Sequence, residues 1–122
     1  MPRILVADDD PTQLELRAKL LETGGHQVSV ACCPSETLRL LPSADLVVMD
    51  LRFRNQKGDS DANEGISLIR RIRESGCRAP VIVISGWPQD LEGRPEERMV
   101  SRIIAKPVGL AALLTAIAEV LI

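Results

Sequence analysis

Four short runs rich in β-branched residues each end in a polar side chain, and that pattern constrains the fold more than any other feature of the chain. Ile4-Leu5-Val6-Ala7 runs into Asp8-Asp9, and Asp45-Leu46-Val47-Val48-Met49 runs into Asp50. Val81-Ile82-Val83-Ile84 runs into Ser85, and Ile103-Ile104-Ala105 into Lys106-Pro107. Continuous apolar runs of this length, bounded by turn formers, read as strands buried on both faces of a parallel sheet. Ligands of such sheets bind in the crevice outside the carboxyl ends of the strands. Asp8, Asp9, Asp50, Ser85 and Lys106, distant in sequence, are therefore expected to converge on one rim.

Helical patterns separate the strands. Asp10-Pro11-Thr12-Gln13 has an N-cap, a proline at the first helical position and a glutamine placed to reach back. Leu14, Ala18 and Leu21 continue that helix until Gly24-Gly25. Residues 28–31 read as the second strand, 35–41 as a short helix closed by Pro42, and 45–49 as the third strand. A long polar loop is expected from Arg52 to Ala62, with Asp61 and Glu64 forming a capping box for the third helix. That helix carries Ile66, Ile69 and Ile72 on one face, leaves Arg70, Arg71 and Arg73 on its wet face, and stops at Ser75-Gly76. The fourth strand is 81–84. Pro88, Gly93 and Pro95 make any helix between Trp87 and Ser101 short or irregular. The fifth strand is 102–105, and Leu110, Leu113, Leu114, Ile117 and Leu121 define an amphipathic last helix. Five βα units in this order predict one α/β domain over residues 1–122, a parallel sheet with helices on both faces.

Composition narrows the function. A net charge of −2 and only two aromatics, Phe53 and Trp87, give no basis for binding nucleic acid by charge or base stacking. No apolar run approaches the roughly 18–20 residues that span a bilayer, and Met1-Pro2-Arg3 enters a strand without a signal pattern. Cys32, Cys33 and Cys77 fit neither a disulfide framework nor a zinc spacing. They are expected as small core residues in a reducing cytoplasm.

Asp8, Asp9 and Asp50 place three negative charges on one small rim, where they would repel one another. A dication together with the Lys106 ammonium would balance them, which points to a phosphoryl site with magnesium. A carboxylate held there can attack phosphorus as a nucleophile, with Lys106 and the Ser85 hydroxyl holding the phosphoryl oxygens. Asp59-Ser60-Asp61-Ala62-Asn63 opens like a calcium loop but has Glu64 and Arg70 at the positions requiring Gly and Glu.

From Arg3 nearly to the C-terminus the chain resembles the response-regulator receiver domains of two-component signalling, of the chemotaxis-regulator type. The segments that carry the resemblance are Ile4 to Asp10, Leu46 to Leu51, Val81 to Gly86 and Lys106-Pro107-Val108. The resemblance implies a flavodoxin-like (βα)5 sandwich with strand order 2-1-3-4-5. It implies Asp50 as phosphoacceptor, Ser85 as switch hydroxyl and Lys106 as phosphoryl-binding lysine. It implies magnesium on Asp9, Asp50 and the Arg52 backbone carbonyl, with Asp8 in support through water. A sensor histidine kinase or phosphotransfer protein would be the donor, and a downstream target would read the face from the fourth strand to the fifth helix. Such a domain catalyses only its own phosphorylation and dephosphorylation. The chain departs from the family in three places: an extended segment from Arg52 to Glu64, Ile103 where an aromatic switch residue is usual, and a fourth helix broken by Gly93 and Pro95.

Two other readings compete. Asp8-Asp9-Asp10-Pro11-Thr12 fits the D-x-D-x-T opening of haloacid-dehalogenase-type phosphatases, which would make Asp8 the nucleophile; the chain lacks that family's cap segment and later acidic ligands. A pseudo-receiver would keep the fold as an interaction module without phosphotransfer.

Overall fold

The computed structural model describes residues 2–121. Five parallel strands, β1 (Arg3–Ala7), β2 (Gln27–Ala31), β3 (Leu46–Asp50), β6 (Val81–Ser85) and β7 (Arg102–Ala105), form a sheet in the order β2-β1-β3-β6-β7. This is the expected order 2-1-3-4-5, because the added strands β4 (Phe53–Arg54) and β5 (Ser60–Asp61) form a separate antiparallel pair. The central strands β3 and β6 are buried at every residue, whereas the edge strands β2 and β7 are only partly covered. Continuous apolar sequence thus marks the middle of the sheet, as burial on both faces requires.

Alternate side chains leave opposite faces of a strand, which divides the core in two. Ile4, Val6, Val48, Ile82 and Ile84 pack with Leu14 and Leu21 of α1 (Pro11–Thr23) and Leu113 and Ile117 of α4 (Leu110–Val120). Leu5, Val47, Met49, Val81 and Val83 pack with Ile66, Leu68, Ile69 and Ile72 of α3 (Ala62–Glu74), and with Leu38 of α2 (Pro34–Leu40). Asp10 caps α1 by accepting from the N–H groups of Thr12 and Gln13 at 3.0 and 3.4 Å. Of the expected capping box on α3, the Asp61 half forms among the described residues, accepting from Asn63 N–H at 2.9 Å.

Several expectations are corrected. The third strand runs one residue later than expected, so Asp50 ends β3 instead of following it, and Ser85 likewise ends β6. The short helix α2 begins at Pro34 and passes at Leu41 into a 3-10 turn, Leu41–Ser43. The segment 52–62 is not a loop but a hairpin. Phe53 is fully buried in the core, and the Asn55 side chain accepts from the N–H groups of Lys57 and Asp59 at 2.9 and 3.1 Å to shape the turn. Arg73 does not lie on a wet face: its guanidinium donates to the carbonyls of Cys77, Ala79 and Met99 at 2.7–3.0 Å. It thereby ties α3 to the segment between β6 and β7, where two 3-10 turns, Pro88–Asp90 and Pro95–Met99, stand where a helix is degraded as expected. Cys77, half-buried, packs against the core as expected, but Cys32 is exposed and Cys33 half-buried, and neither is a core residue.

α3 approaches the chain beside Asp50 closely. A Cβ on Gly65 would lie 2.7 Å from the Leu51 Cα and closer still to its carbonyl, so only glycine lets the helix pack there. Gly65→Ala is expected to destabilise the fold by about 1–3 kcal/mol, the usual cost of overpacking, read as a lower urea midpoint. An unchanged midpoint would contradict the close approach.

Candidate functional site

The C-terminal ends of β1, β3 and β7 bring four of the five expected residues to one cleft of about 180 Å³, lined by Asp8, Asp9, Asp50, Arg52, Trp87 and Lys106 among others. Lys106 Nζ lies 2.6 Å from Asp50 Oδ2, and the Arg52 N–H donates to Asp50 Oδ1 at 3.2 Å. The Asp50 side chain is 9% exposed and that of Lys106 36%, so the carboxylate forms the floor and the ammonium reaches it from the solvent side. Ser85 is fully buried and does not line the cleft; its hydroxyl oxygen accepts from the Trp87 N–H at 3.0 Å.

Arginines that the sequence reading did not assign to the site pair with the acidic residues. Arg17, buried on the core-facing side of α1, donates to Asp8 Oδ2 at 3.1 Å, while Asp8 Oδ1 accepts from the Asp10 N–H at 2.9 Å. Burial pushes the Asp8 carboxyl above its ordinary value, and the charge of Asp50 adds to that; the Asp10 N–H and Arg17 oppose it. Asp9 Oδ2 accepts from the Arg54 N–H at 3.0 Å, with the Arg54 guanidinium at 3.7 Å. Each of the three carboxylates therefore has its own cation: Arg17, Arg54 or Lys106. Charge balance on this rim does not by itself call for a dication, which corrects the count drawn from sequence. Arg17 left a trace in the sequence, a charge at helical spacing among Leu14, Ala18 and Leu21. Arg54 left none, because the hairpin that carries it was read as a loop.

Arg52 turns away from the carboxylates. Its guanidinium donates twice to Asp90 Oδ2, at 2.9 and 3.1 Å, and stacks 4.0 Å from the centroid of the half-exposed Trp87 ring. This clasp links the strand that ends in Asp50 to the segment after Ser85. Ile103 packs partly buried against the α3 side of the core.

A nucleophile-capable carboxylate, a lysine on it and neighbouring acids at the ends of parallel strands agree with the comparison of known proteins. The sequence model of the response regulator receiver domain matches residues 4–118. The chain belongs to that family. Among curated proteins, the receiver is 32% identical over 122 residues to the transcriptional regulatory protein GlrR of Escherichia coli (strain K12), covering 97% of this chain and 26% of the relative. It is also 32% identical over 124 residues to ethylene receptor 4 of Oryza sativa subsp. indica, covering 91% of this chain and 16% of that protein. The chain thus spans about a quarter or less of the length of these relatives. Among solved structures, a receiver domain protein from Clostridium thermocellum superposes with a TM-score of 0.85 at 25% identity, covering 99% of this chain and 94% of the other. The response regulator TrrA from Thermotoga maritima, solved in complex with Mg2+-BeF, shares the fold with a TM-score of 0.82 at 22% identity, covering 98% and 99%. No helix among the described residues is long and apolar enough to cross a membrane.

The hairpin that borders the receiver's cleft carries its own pH dependence. The Asn63 N–H, and then the Asn55 amide, hold the Asp61 carboxyl below its ordinary value of 3.8. A depressed folded-state value adds stability that is complete above the ordinary value and is lost as pH falls through the depressed one. Asp61→Asn keeps the cap and removes this contribution. Thermal unfolding followed below about pH 4 is expected to fall less steeply in the variant than in the wild type; parallel curves would contradict the assignment.

Proposed function

We propose that this receiver accepts a phosphoryl group on Asp50 from a sensor histidine kinase or phosphotransfer protein in the cytoplasm, and that magnesium is required. The observation that carries the reading is the Lys106 ammonium 2.6 Å from the Asp50 carboxylate on the floor of an open cleft. An Asp50 oxygen would attack the phosphorus as the donor's P–N bond breaks, forming an acyl phosphate. Lys106 would move from the carboxylate to a phosphoryl oxygen, where charge develops in transfer.

The donor set suits magnesium. Asp9 Oδ1 accepts no hydrogen bond among the described residues, and the other oxygens of Asp8, Asp9 and Asp50 accept one each, which leaves lone pairs on hard ligands. Asp9, Asp50 and the Arg52 carbonyl would hold the ion, with Asp8 behind them through water. When bound, it would neutralise the phosphoryl oxygens. The Arg54 guanidinium is a weak competitor: its side chain is 72% exposed, and exposed pairs of this kind contribute about 0–1 kcal/mol. The Mg2+-BeF complex of TrrA supports the assignment by likeness of fold.

Two features separate Asp50 from Asp8 as nucleophile. Asp8 is 1% exposed against 7% for Asp50, and its cation, Arg17, is buried whereas the Lys106 on Asp50 is 36% exposed. The phosphatase reading therefore needs the carboxylate that is the more firmly held of the two.

Readout would run through Ser85. Turning its hydroxyl toward a phosphoryl group on Asp50 deprives the Trp87 N–H of its acceptor, and Trp87 is clasped through Arg52 to Asp90. The segment between β6 and β7 would then move without an aromatic at position 103, and this lies on the face from β6 to α4 proposed to meet the target. Arg52 and Trp87 also flank the cleft, where they would slow the entry of water and lengthen the life of the acyl phosphate.

Intact-mass analysis with acetyl phosphate tests the assignment. One phosphoryl adduct is expected with magnesium and none with EDTA or in Asp50→Asn. Lys106→Ala is expected to slow its formation about 10²-fold, as removal of one charge-stabilising donor does elsewhere. No adduct under any condition would favour the pseudo-receiver, and phosphate release that depends on Asp8 would favour the phosphatase.

A further inference from the structure

Outside the acidic cleft, one cluster of chemically active side chains has no part in the function proposed above. Cys32, Cys33 and Glu36 stand at the junction of β2 and α2. The two Sγ atoms and a Glu36 carboxylate oxygen all lie within 4.8 Å of one another. We propose that these three side chains form a binding site for a thiophilic dication with the ligand preferences of zinc.

The distances suit the ion. Zinc binds thiolate sulfur at about 2.3 Å and carboxylate oxygen at about 2.0–2.2 Å, so ligands at tetrahedral angles stand roughly 3.5–3.8 Å apart. Cys32 Sγ is already 3.3 Å from Glu36 Oε2, and the remaining separations close by rotamer adjustment at partly exposed positions. The Cys32 thiol donates its proton to Glu36, and a metal shared by the two atoms would replace that proton. Cys33 Sγ lies 3.3 Å from the Ser35 hydroxyl, and both cysteines would bind the ion as thiolates. Binding therefore releases thiol protons to solvent and weakens as pH falls.

The backbone beneath the ligands is fixed. The Cys33 carbonyl accepts from both the N–H and the hydroxyl of the buried Thr37, at 3.0 and 2.9 Å. All three ligands come from a five-residue stretch, so little loop entropy is lost in gathering them. Cys32 is solvent-exposed, which leaves a fourth coordination position open to water. The sequence contains no Cys-x-x-Cys spacing; the third ligand is a glutamate one helical turn on, which cysteine spacing alone does not register. Thiolates select zinc-like ions over magnesium, while the carboxylates of the cleft do the reverse. The receiver would thus carry two cation sites with opposite preferences at the same end of its sheet.

Titration of the full chain with Cd2+ in excess magnesium tests this, read by the ultraviolet thiolate-to-cadmium charge-transfer band. One equivalent is expected to bind at about micromolar concentration, with zinc displacing it. Cys32→Ser and Cys33→Ser, near-isosteric changes at partly exposed positions, are expected to abolish the band, and Glu36→Gln to weaken binding by about tenfold. Cys77→Ser and Asp50→Asn are expected to leave it unchanged, with far-ultraviolet circular dichroism confirming that every variant is folded. A band that survives both single cysteine substitutions, one that depends on Cys77, or no saturation at millimolar cadmium would overturn the proposal.

Discussion

The contact between Lys106 and Asp50 joins the ends of two strands that are not neighbours, β7 and β3, with β6 between them. It forms because β3, β6 and β7 run parallel with their ends level, so it depends on the register of these three strands. Val47 to Asp50 pair with Val81 to Ile84, and Ile82 to Ser85 pair with Arg102 to Ala105. Removing one partner of a buried ion pair costs about 3–5 kcal/mol because the other is left uncompensated. The Lys106 side chain is 36% exposed, so water would screen much of that penalty. The pair is therefore better suited to being exchanged than to holding the fold together, as the proposed transfer of Lys106 from carboxylate to phosphoryl oxygen requires.

The other two carboxylates are held differently, and the difference assigns their parts. Asp8 is tied to a buried arginine and a backbone N–H, a rigid arrangement that sets the shape of the β1–α1 turn. Asp9 meets an arginine on an exposed hairpin, which yields at little cost. Around one cleft, the acid most firmly held is the least available, and the acids proposed to take metal and phosphorus are those with mobile or weakly bound partners. The clasp of Arg52, Trp87 and Asp90 adds a mechanical link from the strand that ends in Asp50 to the segment after Ser85, in a receiver that lacks an aromatic at position 103.

What could be read from sequence follows from the period of each signal. The central strands announce themselves as unbroken apolar runs, and their polar terminal residues then place Asp8, Asp9, Asp50 and Lys106 at the cleft, while Ser85, at the end of its strand as expected, lies buried behind it. The hairpin was illegible because two-residue strands have no period, and its one core anchor, Phe53, stands alone among polar neighbours. Arg73 was misread because its partners are backbone carbonyls, which have no signature in sequence. Arg17 was legible in principle, since a charge within an apolar helical register needs a buried partner. Cys32 and Cys33 were misplaced because small apolar character favours the core, whereas Pro34 starts a helix that leaves Cys32 in solvent.

The most direct measurement of the central claim is a crystal structure of this receiver with magnesium and beryllofluoride, a phosphoryl mimic. The account predicts beryllium joined to an Asp50 oxygen, Lys106 Nζ and Ser85 Oγ on its fluorines, magnesium on Asp9 and Asp50, and the Trp87 N–H released from Ser85. Beryllofluoride on Asp8, or Arg54 and Lys106 still paired with Asp9 and Asp50 at saturating magnesium and beryllofluoride, would contradict it.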